Sequence, residues 1–109
     1  MSIAITFEEF KKLDLRIALV VEATPVEGSE KLVKLKIDTG DGERLLVAGI
    51  AQYYAPEELV GRRIVLVANL EPKIFMGVES QGMLLAAEGP EGPVLLMPDR
   101  EVPPGSRIR

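Results

Sequence analysis

The stretch KLVKLKIDTGDGERLLVAGI, residues 31–50, sets the architecture. Val33, Leu35 and Ile37 alternate with Lys34, Lys36 and Asp38, the period-two pattern of a strand with one buried face. Asp41-Gly42 follows, a pair suited to turns that need positive φ, and ERLLVAGI supplies the partner strand. Asp38-Thr39-Gly40-Asp41-Gly42 is also the closest approach to an oxygen-rich metal loop, but it lacks the full ligand spacing and reads as the hairpin turn.

Working outward, LRIALVVEATPV is rich in β-branched residues and is ended by Pro25 and Gly28, so it precedes the hairpin as a third member of a meander. Ala48 and Gly49 supply the small residues that a bent strand needs. Before it, Thr6-Phe7-Glu8-Glu9 is a capping-box pattern, and Phe7, Phe10 and Leu13 recur at helical spacing. This predicts a helix of about two turns over residues 7–13, its apolar stripe packed on the body of the domain or offered to a second copy. After the hairpin, Pro56-Glu57-Glu58-Leu59-Val60-Gly61 reads as one helical turn opened by Pro and closed by Gly. RIVLVANL and SQGMLLAA are the fourth and fifth strands. VLLMP and the Pro/Gly-rich PDREVPPGSRIR follow, with room for one or two short strands.

Five strands with a short helical element between the third and fourth fit an all-β Greek-key barrel of the OB-fold type; a β-sandwich is the rival. The expected layout is a single domain over residues 1–109, with an N-terminal helix to about residue 13, the barrel over 14–88 and a C-terminal extension over 89–109.

Composition narrows function. The chain has neither Cys nor His, which removes disulfides, thiolate or imidazole metal sites and the common nucleophile dyads. Carboxylates are scattered, Ser80 has no recognisable activating partner, and no cofactor, metal or catalytic residue is expected. No window nears the roughly 20 apolar residues that span a bilayer, and the N-terminus does not read as a secretory leader, so a cytoplasmic protein is expected. Net charge is −4, against the usual basic footprint of nucleic-acid binders. The acidity is uneven, however: residues 30–76 hold seven basic and seven acidic side chains, while 1–29 and 77–109 each hold three and five. A local field in the middle of the chain is compatible with an anionic ligand.

The runs LDLRIALVVEA (13–23), EKLVKLKIDTGD (30–41), VAGIAQYYAPEELVG (47–61) and VANLEPKIFMGVESQGMLLAA (67–87) together resemble the tRNA-binding domain found at the C-terminus of many methionyl-tRNA synthetases. The same domain occurs as a free-standing dimeric, structure-specific tRNA-binding protein. The resemblance extends from about Ile5 to Arg107. It implies an OB-fold that grips the outer corner of L-shaped tRNA largely without reading its sequence, either free-standing or beside a methionyl-tRNA synthetase or another synthetase. The positions that match the family's binding surface are Lys31, Lys34, Arg44, Asn69, Lys73, Met76, Ser80, Gln81 and Met83. The family's dimers imply a homodimer here, built through Phe7 and Phe10 and through the segment around Val94, Leu95, Leu96 and Met97. No synthetase catalytic signature is present. One departure is notable: where the family commonly has Pro-Arg-Lys-Leu-Met, Pro72-Lys73-Ile74-Phe75-Met76 has a single Lys, leaving Phe75 to pack or stack.

A related barrel family acts as a small dimeric export-associated chaperone for unfolded polypeptide. It typically carries Ser-Ser-Ala-Gln and Ser-Glu-Val-Leu stretches where this chain has Val47-Ala48-Gly49-Ile50-Ala51 and Ser80-Gln81-Gly82-Met83. The residues side with the tRNA binders, and the chaperone stands as the alternative.

Overall fold

A computed structural model describes residues 3–109. The expected meander is present as β1 (Leu15–Pro25), β2 (Val33–Asp38) and β3 (Glu43–Ala48). In register, Leu35 faces Leu46 and Ile37 faces Arg44 across the β2–β3 ladder. Val33, Leu35 and Ile37 are fully buried, as their alternation requires. The turn is a hydrogen-bonded knot: the Thr39 N–H donates to the Gly42 carbonyl at 2.9 Å and the Gly40 N–H to Asp38 Oδ1 at 2.8 Å. The Thr39 hydroxyl donates to Asp41 at 2.7 Å, and this bond holds the Asp41 carboxyl below its ordinary value.

α2 (Pro56–Leu59) is the predicted single turn, opened by Pro and closed by Gly61 in the left-handed region. Leu59 plugs the core between the turn and β1. β4 (Arg63–Val67) pairs antiparallel with β1, and the sheet runs β3-β2-β1-β4-β7, where β7 is Met83–Leu84. This sheet curls until β3 meets the chain just before β7. The core that it encloses includes Val20, Leu35, Leu46, Ile64, Leu66 and Leu95. Each such side chain contributes about 1.5–3 kcal/mol relative to exposure.

Three expectations are corrected. The N-terminal helix α1 is only Phe7–Phe10, with the capping box formed as read: the Glu9 N–H donates to Thr6 Oγ1 at 3.1 Å and the Thr6 N–H to Glu9 Oε1 at 3.0 Å. One turn is too short to lay down an apolar stripe, so Phe7 stands 70% exposed instead of packing on the domain.

Second, the connection between the runs read as the fourth and fifth strands, to which the sequence reading assigns no element, is itself a hairpin, β5 (Lys73–Phe75) and β6 (Val78–Ser80). Third, the predicted fifth strand is interrupted at Gln81-Gly82. Gly82 sits at φ +135° with Leu66 Cδ1 and the Val67 carbonyl each 2.9 Å from where a Cβ would lie. Only glycine lets the chain pass that close to β4, and the strand breaks there.

The C-terminal residues form a second hairpin, β8 (Ala86–Gly89) and β9 (Gly92–Leu95), then an irregular arm that returns to pair β10 (Arg107–Ile108) with the start of β1. The Gly105 N–H donates to the Ile17 carbonyl at 2.7 Å, and the Ile17 N–H to that of Ser106 at 2.9 Å. The arm is therefore part of the fold.

Candidate nucleic-acid interface

The β2–β3 pleat decides which side chains face outward. Residues directly opposite one another share a face, so Lys34 stands beside Val47 and Lys36 beside Leu45 on the outer side of the sheet. Lys36 is paired with Glu22 at 3.2 Å. Among the described residues, Lys31, Lys34 and Lys73 take part in no ion pair. Lys31 lies in the turn from β1 to β2, which is shaped by the Ser29 hydroxyl accepting from the N–H groups of Lys31 (3.2 Å) and Leu32 (3.1 Å).

The β5–β6 hairpin extends this outer face past β3. Lys73 lies opposite Ser80, and Phe75 opposite Val78. Between the hairpin, the end of β3 and β7 lies a groove of about 240 Å³ lined by Val47, Leu70, Glu71, Lys73, Phe75, Ser80, Gly82 and Met83. The Lys73 ammonium stands 5.2 Å from the Phe75 ring centroid, a cation–π distance. At the tip, Met76 (φ +50°) and Gly77 (φ +81°) both adopt left-handed backbone, as a two-residue hairpin turn of matching twist requires. The Met76 methyl lies 3.2 Å from where a Cβ on Gly28 would be, so the hairpin reaches the β1–β2 turn that carries Lys31.

Of the nine positions matched to the family's binding surface, the fold thus gathers Lys31, Lys34, Lys73, Met76 and Met83 on one face. The other four are occupied within the protein. Arg44 faces inward opposite Ile37 and closes the barrel end, donating through Nη1 to the Ala68 carbonyl at 2.6 Å. Gln81 Oε1 accepts from the Leu45 N–H at 3.1 Å, while its own N–H donates to the Leu45 carbonyl at 2.8 Å. The buried Ser80 hydroxyl accepts from the Val47 N–H at 3.0 Å and donates to the Gly82 carbonyl at 3.1 Å.

Asn69 is engaged at both ends of its amide. Its Oδ1 accepts from the Asp14 N–H at 2.9 Å and its Nδ2 donates to the Lys12 carbonyl at 2.6 Å. These four residues frame the site: they fix β3 against the β6–β7 junction and tie β4 to the N-terminal segment. Sequence reasoning passed over Leu70 and Val47 as groove-lining residues. Neither carries a polar signature, and only the hairpin's path across β3 brings them together.

At the expected self-association surface, α1 and β10 are neighbours, and Phe7, Phe10, Leu13 and Ile108 line one hollow with Lys11, Arg107 and Arg109. Val94, Leu96 and Met97 are exposed, but Leu95 is buried in the core. The pleat of β9 turns Val94 outward and the next side chain inward, so Leu95 is withdrawn from the interface set.

Comparison with known proteins gives this face its context. Residues 15–107 match the family model described as "Putative tRNA binding domain". The chain is 53% identical over 105 residues to the methionine–tRNA ligase of Thermococcus kodakarensis and 57% identical over 105 residues to that of Methanothrix thermoacetophila. It covers 96% of its own length in each case, but only 14% and 16% of those proteins. Among solved structures, the MetRS related protein from Pyrococcus horikoshii superposes with a TM-score of 0.92 at 43% identity, each chain covered completely. The chaperone CsaA from Bacillus anthracis does so with a TM-score of 0.89 at 36% identity, over 98% of this chain and 100% of the other. With the family model spanning most of its residues, the chain belongs to the tRNA-binding domain family.

Proposed function

We propose that the chain is a non-catalytic module that binds the outer corner of folded tRNA through the outer side of β2–β3 and the β5–β6 hairpin. The observation that carries this reading is a set of three lysines outside any ion pair among the described residues, Lys31, Lys34 and Lys73, the last of which lines a groove with Val47, Phe75 and Met83. RNA helices are recognised mainly by shape and by backbone and ribose contacts, and exposed bases by apolar and aromatic surfaces. Few cations and a greasy groove suit that division. The module acts in the cytoplasm, fused to or alongside a methionyl-tRNA synthetase, and adds tRNA affinity without adding chemistry. Two copies joined through Phe7, Phe10, Leu96 and Met97 double the contact surface on one ligand, raising affinity without any new type of contact. Gel-shift titration tests it: folded tRNA is bound more tightly than an unstructured RNA of equal length, whatever amino acid the tRNA accepts. Equal affinity for both RNAs rejects the corner reading.

A second reading draws on the exposed apolar side chains around the same groove, Leu70, Met76 and Met83, and on the similarity to the CsaA chaperones. Such a surface also suits an extended unfolded polypeptide. Competition between tRNA and an unfolded peptide for the protein separates the two, since displacement of tRNA by peptide at similar concentrations favours the chaperone.

A further inference from the structure

The chain has five aromatic side chains, of which Phe7 and Tyr53 are exposed and Phe10, Tyr54 and Phe75 are half-buried. Phe7 lies in the hollow between α1 and β10. Tyr53 stands elsewhere, and its neighbour shows how differently the two tyrosines are used. The Tyr54 hydroxyl donates to the Pro93 carbonyl at 3.2 Å and accepts from the Leu95 N–H at 3.3 Å, clamping the β8–β9 hairpin beneath the turn over residues 50–54. Tyr53 is half exposed, and its hydroxyl makes no hydrogen bond among the described residues.

Its ring is nevertheless held in place. It lies against Gly92 so closely that a Cβ there would sit 2.5 Å from both Cδ1 and Cε1, and Gly92 has a φ of +129° that other residues rarely adopt. The backbone is equally constrained, because the N–H groups of Tyr53 (3.0 Å) and Tyr54 (3.1 Å) both donate to the carbonyl of the buried Ile50. Two residues before Tyr53, the Ala51 N–H donates to the Lys31 carbonyl at 3.0 Å, which joins this turn to the lysine-bearing face.

We propose that Tyr53 is a stacking platform for an unpaired base of the RNA held at Lys31, Lys34 and Lys73; the inference rests on the tRNA reading above. Beside the ring is an open hollow of about 300 Å³ that Glu91, Pro90, Pro93 and Val94 also line. The Glu91 carboxylate repels a phosphodiester, so the hollow suits the uncharged face of a base and not the backbone. A flat ring already fixed by glycine and a tight turn loses little freedom when a base stacks on it, and stacking tolerates any base identity.

The test is tRNA affinity of the whole chain carrying Tyr53→Ala, Tyr53→Leu or Tyr53→Phe, each with a salt titration and a thermal melt. Tyr53→Ala and Tyr53→Leu weaken binding roughly five- to hundredfold, while Tyr53→Phe stays within about twofold of the parent. The slope of log affinity against log salt is unchanged in all three, because no phosphate contact is removed. If the parent binds tRNA and Tyr53→Ala binds equally well, the platform is rejected and the tRNA reading survives. A loss accompanied by a shallower salt slope also rejects it, in favour of a backbone contact. A parent that does not bind folded tRNA overturns both. Should Tyr53→Ala melt early, Tyr53→Leu against Tyr53→Phe at matched stability decides, and equal affinities there overturn stacking.

Discussion

The Val47 N–H donates to the buried hydroxyl of Ser80 at 3.0 Å, so a side chain takes the place of a missing ladder bond where β3 meets the β6–β7 junction. The strands diverge there because Gly82 draws the chain toward β4. Ser80→Ala leaves a buried N–H unpartnered, at a cost of about 1–3 kcal/mol. Urea or thermal unfolding checks it. The expected outcome is a clear loss of stability with tRNA affinity of the folded protein little changed, whereas unaltered stability with lost affinity would return Ser80 to the ligand face.

Asn69→Ala removes both bonds to the Lys12–Asp14 segment. The site is exposed, so water replaces part of the loss and the expected destabilisation is about 0.5–2 kcal/mol. The melting temperature falls, and proteolysis within the first 14 residues accelerates. A variant that melts like the parent but binds tRNA poorly contradicts the framing role.

Lys34→Ala and Lys73→Ala each weaken tRNA binding several-fold and leave the fold intact, since neither lysine is paired with an acid among the described residues. With roughly three phosphates neutralised by the parent, the log–log salt slope is gentle and each substitution reduces it by about one. A parent slope that implies eight or more phosphates refutes a near-neutral face.

Met76 occupies a left-handed conformation that suits Asn or Gly better. Met76→Asn is expected to stabilise the protein by up to about 1 kcal/mol through relief of that strain. It also removes the methyl that covers Gly28, so ligand affinity falls as stability rises. Opposite signs in the melt and in the binding curve are the signature, and parallel changes exclude it.

Asp41 supplies a pH dependence. Its folded carboxyl titrates below the ordinary 3.8, chiefly because of the Thr39 hydroxyl bond. A depressed folded value means stabilisation that is fully present above the unfolded value and disappears as pH falls through the folded one. Denaturant midpoints should therefore drop on acidification below about pH 4, and less steeply in Asp41→Asn than in the parent. NMR titration of the Asp41 carboxyl, with Thr39→Val returning it toward the ordinary value, checks the cause.

What could be read from the residues was local or periodic. Alternation over Val33–Ile37, the Asp41-Gly42 turn, the Thr6–Glu9 box and the Pro56–Gly61 element depend on neighbours within a few positions, and all four form. What could not be read depends on distance. Gln81 and Leu45 are 36 residues apart and Asn69 and Lys12 57 apart, so whether each amide faces a ligand or the protein's own backbone is settled only when the barrel closes. The β5–β6 hairpin was missed because Met occupies a turn position where Asn, Asp or Gly gives the usual signal. Leu95 was misplaced because VLLM has no alternation to reveal which of its members turn inward.

Lys12 and Asp14, which Asn69 clasps, lie outside the stretch matched by the family model, which begins at Leu15. Trimming the polypeptide to that boundary would strip the amide of both partners and remove α1 while leaving every strand nominally intact. Such a fragment would look complete by homology and yet open at its seam, and any shortened version of this protein should keep the dozen or so residues that precede the first strand.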